Sequence, residues 1–208
     1  MENEKVILPE VQQIADAINA AVKNAGVTVS INPSPAEQHS LLLFPTKARE
    51  CAQWLKAESP WQLDYLSNVS GNDWPEDAIT KQTPKKPVKD DGEEPMHPCL
   101  EAVYHLYSIR QSLGPVIMRM RTENRSDKVE LPSLTPVWRS AELQEREIFD
   151  LYGIHFEGHP DLRRLLMWDE FEDHPMRRDY VEPDDYDYEP TPHGDVLKKS
   201  LTQQGGAE

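Results

Sequence analysis

The sequence predicts an α+β protein, a two-layer sandwich of helices on a mostly antiparallel sheet, followed by a helix and an extended C-terminal arm. Two helix-like patterns of apolar residues lie among short strand-like runs, and turn residues rather than helices separate most of these runs. The 208 residues can bury one core without a disulfide or a structural metal. We expect an α+β domain over residues 1–138, a helix and docking segment over 139–181, and an acidic, flexible tail over 182–208.

The first helix and the first two strands follow from the spacing of apolar residues. Over residues 9–25 apolar side chains recur every three or four positions, which predicts a helix with Pro9 in its first turn and Gly26 at its end. Alternation over residues 27–31 and an apolar run over 40–44 each predict a strand. A Pro-rich turn is expected between them, at residues 32–35.

A second helix and a third strand come next. The helix is expected to begin with Thr46 as its N-cap and to reach Glu58. Residues 61–69 then predict the third strand. The inner face of the helix consists of Ala48, Cys51, Ala52 and Leu55.

A long polar stretch interrupts the domain at residues 75–97. Its prolines and charged residues predict a loop insertion without a packed element. Residues 102–109 and 116–122 then predict two strands that form an antiparallel hairpin around Gly114-Pro115.

A third helix is expected over residues 140–152, with Gly153 ending it in a left-handed conformation. Glu145 falls within its apolar face, where a carboxylate is costly unless it is paired and hydrogen-bonded. We therefore predict that an arginine of this chain or of a partner holds Glu145 and that the pair fixes an interface. The opposite face fits either a functional surface or a solvated row of i,i+4 ion pairs. That charged face consists of Glu142, Arg146, Glu147 and Asp150.

Two segments after this helix repeat one pattern. Residues 156–166 and 171–180 each contain His-Pro followed by two adjacent arginines. Because adjacent guanidiniums repel each other, each is expected to grip a carboxylate or phosphate of its own. In an extended, acidic part of the chain, this pattern predicts docking onto a partner.

Charge and hydropathy disfavour several classes of protein. The net charge of −15 argues against nucleic-acid binding, because phosphates need clustered Lys and Arg. Ten acids stand against two bases in residues 169–190, which predicts an extended arm. The longest apolar run, 41–44, is too short for a transmembrane helix. A secretory signal is not expected at the start of the chain, and the unpaired-looking Cys51 and Cys99 indicate a reducing compartment.

Metal and catalytic sites find little support in the residues. His155 and His159 lack the HExxH or paired CxxC spacing of a zinc site. Glu147 and His159 have the side chains of an acid/base pair, but no Ser or Cys nucleophile stands in a recognisable setting. A dinucleotide-binding fold is excluded because GxGxxG and βαβ alternation are absent.

The most specific signal lies in residues 145–166. The run Glu-Arg-Glu-x-x-Asp-Leu-Tyr-Gly-Ile-x-Phe-x-Gly-His-Pro-Asp-Leu-Arg-Arg-Leu-Leu resembles the signature of the C-subunit family of respiratory complex I, the hydrophilic 30 kDa-type subunit of NADH:quinone oxidoreductase. Residues 104–108 and 171–180 are similar to further segments of that family, and the resemblance extends over residues 5–181. The stretch 75–97 departs from the family as an insertion.

The resemblance implies a non-catalytic structural subunit in the peripheral arm of proton-translocating complex I, bracing the D subunit that forms the quinone site. Its implied partners are chiefly the D subunit and also the B and I subunits, at the cytoplasmic face of the bacterial inner membrane. FMN and iron–sulfur clusters are expected elsewhere in the assembly, with no cofactor or metal in this chain, whose two cysteines are too few to ligate a cluster. The implied interface or signature residues are Glu145, Arg146, Glu147, Asp150, Gly153, Gly158, His159, Pro160, Asp161, Arg163, Arg164, His174, Pro175, Arg177 and Arg178.

Two alternatives stay open on the sequence. The same signature fits the equivalent subunit of a complex I-like enzyme, such as a membrane-bound hydrogenase or a ferredoxin- or F420-fed oxidoreductase. From a different class, the chain fits a free-standing acidic adaptor that binds a basic partner through residues 169–190.

Overall fold

The structure is a computed structural model that describes residues 11–31, 38–82 and 97–181. The chain divides into two compact units, Met1–Arg178 and Asp179–Glu208. All helices and strands among the described residues belong to the first unit.

A five-stranded mixed sheet forms one layer of the fold. Its strands are β1 (Thr28–Ile31), β2 (His39–Leu43), β3 (Tyr65–Trp74), β4 (Cys99–Ser108) and β5 (Leu113–Arg121). Their order across the sheet is β1-β2-β5-β4-β3. Only the pair β2–β5 is parallel, and the other three neighbouring pairs are antiparallel. The predicted α+β class with a mostly antiparallel sheet is therefore confirmed.

Two helices, α1 (Val11–Ala21) and α2 (Pro45–Ala57), form the second layer. Their buried faces share one core with inward side chains of the strands, such as Leu41 and Met118. The apolar spacing predicted both faces correctly. The buried helix residues are Ile14, Ala15 and Ile18 in α1, and Ala48, Cys51, Ala52 and Leu55 in α2.

The start of α2 differs from the prediction that Thr46 is its N-cap. Pro45 is the first helical residue, and Phe44 stands at the N-cap without a side-chain capping bond. Proline suits the first helical position because its φ is already helical and its missing N–H would have no partner there. The ring of Pro45 therefore sets the start of the helix one residue before Thr46.

The third strand begins later and runs further than the predicted residues 61–69. It starts at Tyr65 and continues to Trp74. Asn72 and Asp73, which have low strand propensity, stay in the sheet because they pair with β4 and because their side chains bond to neighbouring side chains. Pairing across the sheet thus outweighs local propensity in this strand.

The stretch predicted as a loop without a packed element, 75–97, contains a short helix, α3 (Glu76–Gln82). The carbonyl of Pro75 accepts hydrogen bonds from the N–H groups of Ala78 and Ile79 at 3.0 and 3.2 Å, and Ala78 is buried. The prediction is wrong here because seven residues among prolines are too few to reveal a helical period. Outside the described residues lie the rest of this loop at 83–96, the turn predicted at 32–35 and the tail predicted at 182–208.

The hairpin of β4 and β5 is confirmed, but its turn lies earlier than predicted. Residues 109–112 connect the strands, while Gly114 and Pro115 belong to β5 itself. They lie beside a shift in the register between the two strands. An irregular position of this kind accommodates the proline, which has no N–H to give to a neighbouring strand.

A fourth helix, α4 (Ala141–Tyr152), packs against β3. It connects two short strands, β6 (Val129–Pro132) and β7 (Ile154–Glu157), which pair in parallel. Gly71 of β3 permits the close approach, because a methyl group there would lie 2.5 Å from ring atoms of Tyr152. Of the helices in the described part of the chain, none combines the length and the apolar character that crossing a membrane requires.

Candidate functional site

The candidate site is the charged face and the C-terminal end of α4, together with residues 159–178, which we call the return segment. The predicted helix end is confirmed: Gly153 has a φ of +80° and donates its N–H to the carbonyl of Phe149 at 3.0 Å. A side chain at Gly153 would meet the return segment, since a methyl group there would lie 2.5 Å from Nε2 of His174.

Asp150 is the centre of the site. Its side chain is fully buried, and its carboxylate accepts hydrogen bonds from the N–H groups of Leu165, Leu166 and Met167 at 2.9, 2.6 and 2.9 Å. Nη1 of Arg164 donates to the same carboxylate at 2.7 Å. Burial alone raises the pKa of Asp150, but these donors together hold it below its ordinary value. An ionised carboxylate inside the protein thus folds the return segment around itself.

The last carbonyls of α4 bind the second His-Pro stretch. Carbonyls at a helix C-terminus have no partner within the helix and carry its negative dipole end, so cationic side chains are favoured there. Burial lowers the pKa of His174, and the nearby Arg177 lowers it further. The donors to these carbonyls are His174 Nδ1 to Asp150 at 3.0 Å, the Met176 N–H to Leu151 at 3.1 Å, and Arg177 Nε to Tyr152 at 2.8 Å.

Arg146 holds the first His-Pro stretch from the middle of α4. Its Nε and Nη2 donate to the carbonyls of Arg163 and Arg164, each at 3.0 Å. Arg146 and Asp150 are 8% and 0% exposed, so the alternative of a solvated row of ion pairs is wrong for these two residues. The i,i+4 spacing places them on one face but does not show that the chain later folds back over that face.

His159 is also fixed within the chain. Its Nε2 donates to the carbonyl of Glu142 at 2.8 Å, and its Nδ1 accepts the N–H of Asp161 at 3.1 Å. With both ring nitrogens occupied, the imidazole orients the chain at the start of the return segment. Glu147, considered with His159 as an acid/base pair, is exposed to solvent on α4.

Glu145 is buried on the apolar side of α4, as predicted, but among the described residues no arginine holds it. Burial raises its pKa, and its hydrogen bonds offset part of that rise. Three hydroxyl groups and one N–H satisfy the carboxylate without an opposite charge, which is why the arginine predicted from this chain is wrong, while an arginine from a partner stays a prediction. The four donors are Tyr104 Oη at 3.1 Å, Ser133 Oγ at 2.6 Å, Thr135 Oγ1 at 3.1 Å and the Leu134 N–H at 2.8 Å.

Three of the paired arginines form ion pairs with carboxylates of this chain. Arg163 is the most exposed of those with such a partner, its side chain being 71% exposed. The side chain of Arg178 is exposed, while its N–H donates to Asp73 at 2.8 Å. Their contact with another protein stays a prediction. The ion pairs are Arg163–Asp161 at 3.0 Å, Arg164–Asp150 at 2.7 Å and Arg177–Asp127 at 2.6 Å.

A further buried carboxylate, Glu101 of β4, was not predicted from the sequence. Arg119 and Arg121 donate to it at 2.9 and 3.0 Å, and Nε1 of Trp74 donates at 3.1 Å. A local signal for it exists, because Glu101 stands between Leu100 and the apolar start of the strand predicted over residues 102–109, much as Glu145 interrupts an apolar helix face.

Within residues 11–31, 38–82 and 97–181, no three His, Cys, Asp or Glu side chains are grouped so that they would hold a metal ion. Cys51 and Cys99 are buried, unpaired thiols, and burial raises their pKa values to about 11 and about 12. Thiols with such pKa values are protonated near neutral pH, whereas metal ligation and nucleophilic attack need the thiolate. The residues of the candidate site therefore supply hydrogen bonds and charge that hold one segment of chain in place.

Comparison with known proteins identifies the family. The family described as "Respiratory-chain NADH dehydrogenase, 30 Kd subunit" matches residues 42–186, which include α4 and the return segment. The NADH-quinone oxidoreductase C 2 subunit of Rhizobium etli is 39% identical over 137 residues, or 65% of this chain and 60% of that protein. The NADH-quinone oxidoreductase C/D subunit of Phocaeicola vulgatus is 35% identical over 130 residues, or 62% of this chain and 21% of that protein. The chain thus spans less than two thirds of the length of either relative.

A solved structure shares the fold. It is described as the "Structure of the membrane-bound sulfane sulfur reductase (MBS), an archaeal respiratory membrane complex", and one of its chains matches with a TM-score of 0.57 and 19% identity, over 92% of this chain and 91% of that chain. Because the family match covers more than half of the sequence and contains the residues gathered around Asp150, this chain belongs to the family of the 30 kDa subunit of the respiratory-chain NADH dehydrogenase.

Proposed function

We propose that this chain is a non-catalytic structural subunit of proton-translocating NADH-quinone oxidoreductase, complex I, and that it braces the D subunit, which forms the quinone site, in the peripheral arm. The observation that carries the proposal is the site at Asp150. There the polar groups of the family signature bind the return segment of the same chain. Because these polar groups are bonded to each other, we assign them a structural role and place the reactive groups in other subunits.

The rigidity of the return segment suits a bracing role. Association between proteins is opposed by the ordering of side chains and loops at the interface, and a segment that is already ordered avoids part of that loss. Asp150 and Arg146 hold the segment near its start, and the carbonyls of Leu151 and Tyr152 hold it near its end. The return segment is therefore ordered before a partner binds.

The D subunit is the partner that we propose first, with the B and I subunits as further neighbours on the basis of the family resemblance. The Phocaeicola vulgatus relative carries the name C/D, and this chain matches only 21% of it. In that relative, a region like this chain is joined covalently to a much longer remainder. Joining two regions in one polypeptide keeps them close together, which supports contact between the corresponding separate proteins.

We place FMN and the iron–sulfur clusters of the assembly outside this chain. A cluster is held by about four cysteine ligands, and this chain has two cysteines, which are buried in different elements. Oxidation of NADH, reduction of quinone and proton translocation would then take place elsewhere in the assembly. The proposed location of this chain is the peripheral arm, at the cytoplasmic face of the bacterial inner membrane.

A blue-native gel of membranes from the source organism, probed for this chain and for the D subunit, tests the proposal. We expect the chain to migrate with the D subunit and with the NADH-oxidising subunits. Migration with hydrogenase or F420-dependent subunits would instead indicate a complex I-like enzyme. A soluble monomer without these partners would favour the free-standing adaptor and contradict the proposal.

Two arginines, one buried against Asp150 and one exposed, provide a matched test of the non-catalytic role. Arg164→Ala leaves the buried Asp150 without its ion-pair partner, a loss that typically costs about 3–5 kcal/mol, so we expect several-fold less assembled complex. Arg110→Ala removes a side chain that is 75% exposed and that lies outside the predicted interface, so it should leave the amount of complex within about twofold of wild type. Quinone reductase activity should follow the amount of complex on the gel. A loss of activity at normal assembly would contradict a purely structural role.

A further inference from the structure

Four large apolar side chains of the return segment lie on the surface of the protein. A folded protein buries most residues of these types, and exposed apolar patches often mark contacts with other molecules. We call the four residues the apolar ridge. They are Leu165, Leu166, Trp168 and Met176, with 39%, 57%, 62% and 52% of their surface exposed.

Leu165, Leu166 and Met176 are exposed because the backbone of each, and not its side chain, is bound to α4. Leu165 and Leu166 donate their N–H groups to the carboxylate of Asp150, and Met176 donates its N–H to the carbonyl of Leu151. Both ends of the ridge are therefore attached to the same end of the helix. The apolar side chains cannot turn inward without breaking these bonds.

Trp168 is also held in a defined orientation. Its ring packs edge-on against Phe171, with the ring centroids 4.7 Å apart, and the guanidinium of Arg164 lies 5.5 Å from the centroid of Phe171. Arg164 is in turn fixed by its ion pair with the buried Asp150. A rigid, exposed tryptophan at the surface matches the residue type that most often dominates the binding energy of protein interfaces.

Acidic side chains lie within the stretch of sequence that contains the ridge. Four carboxylates lie between Trp168 and His174, and all four residues are exposed. Within the part of the chain that the structure describes, none of them has a side-chain hydrogen bond or a salt bridge. The four residues are Asp169, Glu170, Glu172 and Asp173.

We propose that the apolar ridge anchors this chain in a groove of its partner protein in the assembly, and that the groove is apolar with a rim of Lys and Arg side chains. The proposal rests on the proposed function and deepens it by naming the anchoring side chains and the chemistry of the partner surface. Arg164 and Arg177 hold the return segment on its own chain, and the exposed apolar side chains of the ridge are left to contact a partner. A basic rim complements the four unpaired carboxylates across the interface.

The same carboxylates disfavour the other surfaces that an apolar ridge could meet. An anionic lipid bilayer would repel them, since anionic membranes attract basic segments. A second copy of this chain would bring the four carboxylates of each copy into one interface, and like charges at an interface are unfavourable. The negative charge of the four carboxylates therefore favours a basic protein surface.

Competition for incorporation in cells tests the proposal on the intact assembly. Wild-type and variant full-length chains with different tags are expressed together, the complex is purified through the D subunit, and mass spectrometry gives the ratio of the two chains. We expect Trp168→Ala and Leu166→Ala to be incorporated about tenfold less than wild type, relative to their abundance in the cell. Ile109→Ala is the matched control, because Ile109 is 64% exposed in the turn between β4 and β5.

Two controls separate binding from folding and identify the partner. The melting temperature of each purified full-length variant should stay close to that of wild type, because the replaced side chains are largely exposed. If Trp168→Ala disturbs its ring contact and lowers the melting temperature, the incorporation of Leu166→Ala shows whether binding is lost without a loss of stability. A photo-crosslinking amino acid at position 168 should join this chain to one other protein of the complex, at a peptide with apolar residues and Lys or Arg.

The outcomes distinguish the ridge from the proposed function. Equal incorporation of all variants, with wild type present in the complex, would contradict the anchoring role of the apolar ridge and would leave the proposed function unaffected. Absence of the wild-type chain from the complex would overturn the proposed function itself. Crosslinking to lipid or to a second copy would overturn the proposal that the partner is a protein with a basic groove. Unchanged incorporation of an Asp169→Lys, Glu170→Lys double variant would overturn it as well.

Discussion

Asp150 and Glu145 are both fully buried on α4, yet their surroundings shift their pKa values in opposite directions. Asp150 faces a guanidinium and three N–H groups, which stabilise its ionised form more than burial destabilises it. Glu145 has hydroxyl groups and one N–H but no cation, so burial outweighs its hydrogen bonds. The two residues therefore have different roles: Asp150 holds the return segment by charge, and Glu145 joins the helix to the core by hydrogen bonds.

Asp150→Asn tests the role of the charge. An amide cannot accept all four donors through one oxygen, and we expect a loss of about 3 kcal/mol in the free energy of unfolding near pH 7. Because the folded-state pKa of Asp150 is lowered, its contribution is complete above about pH 4 and disappears as the pH falls through the folded value. The difference between variant and wild type should therefore shrink in acid. Guanidinium unfolding near pH 7 and again in acid, below about pH 4, measures the difference in the free energy of unfolding between variant and wild type.

Glu147→Gln is the control for Asp150→Asn, since Glu147 is exposed on the same helix. It should change the free energy of unfolding by less than about 0.5 kcal/mol at either pH. An Asp150→Asn variant as stable as wild type near pH 7 would show that the carboxylate is not needed as a charge.

Glu145→Gln should be tolerated, unlike Glu145→Ala. The glutamine oxygen accepts from Tyr104 and Leu134, and its amide group donates to the hydroxyls of Ser133 and Thr135, so every partner is satisfied. Alanine leaves these groups buried without partners, and we expect it to cost about 3 kcal/mol or more. Thermal unfolding compares the two variants, and equal destabilisation by both would contradict the hydrogen-bond account.

The pH dependence of Glu145 has the opposite sign to that of Asp150. Because its folded-state pKa is raised, the folded protein binds this proton more tightly than the unfolded chain does. Its contribution is most favourable below about pH 4, the ordinary pKa of Glu, and decreases as the pH rises through the raised folded value. Glu145→Gln should remove this decrease, which urea unfolding across about pH 4 to 7 would show.

At the scale of elements, the end of α4 is where one helix positions another segment. The left-handed Gly153 stops the helix and leaves its last carbonyls open, and the return segment closes them. The sequence predicts the helix and its glycine end because both are local patterns. It does not predict which groups bind the open carbonyls, since His174 and Arg177 lie more than twenty residues further along the chain.

Gly153→Ala should release the return segment. A residue with a side chain at this φ costs about 1–2 kcal/mol, and its methyl group would also displace His174. Gly158→Ala is the matched control, because Gly158 has a similar φ of +75° but its methyl group would meet only the end of the Arg49 side chain. We expect trypsin to cleave the return segment of the full-length Gly153→Ala chain several-fold faster than that of wild type. Similar rates for both variants would contradict the packing role of Gly153.

At the scale of the whole molecule, the chain leaves the sheet after β3 and re-enters it at β4 at one place, because Trp74 at the end of β3 pairs with Cys99 at the start of β4. A short Gly-Ser linker in place of residues 83–96 should therefore change the free energy of unfolding by less than about 1 kcal/mol, since loop closure depends weakly on length. Extending the deletion to 77–96 also removes most of α3 with the buried Ala78, and should cost more. Chemical unfolding compares both with wild type. Unfolding of the domain by the shorter deletion would contradict this prediction.

The order of strands across the molecule shows where local patterns stop being informative. The spacing of apolar residues predicts each strand and both inner faces of α1 and α2, but the parallel contact of Leu41 with Met118 joins distant parts of the chain. Periodicity within a strand does not encode which strand lies beside it. The parallel pair at the centre of a mostly antiparallel sheet therefore could not be predicted from the spacing.

The sequence by itself determined the α+β class, the helix with its glycine end, the burial of Glu145 and, through the signature, the family. Each of these is a local pattern or an uninterrupted run of residues. Tertiary structure decided which partners the charged groups have: hydroxyl groups for Glu145, and the return segment for Asp150 and Arg146. It also decided that the apolar ridge is exposed to solvent. The physical reason is that a buried polar group needs a partner wherever the folded chain supplies one, and that choice depends on distances in space that no spacing along the chain reveals.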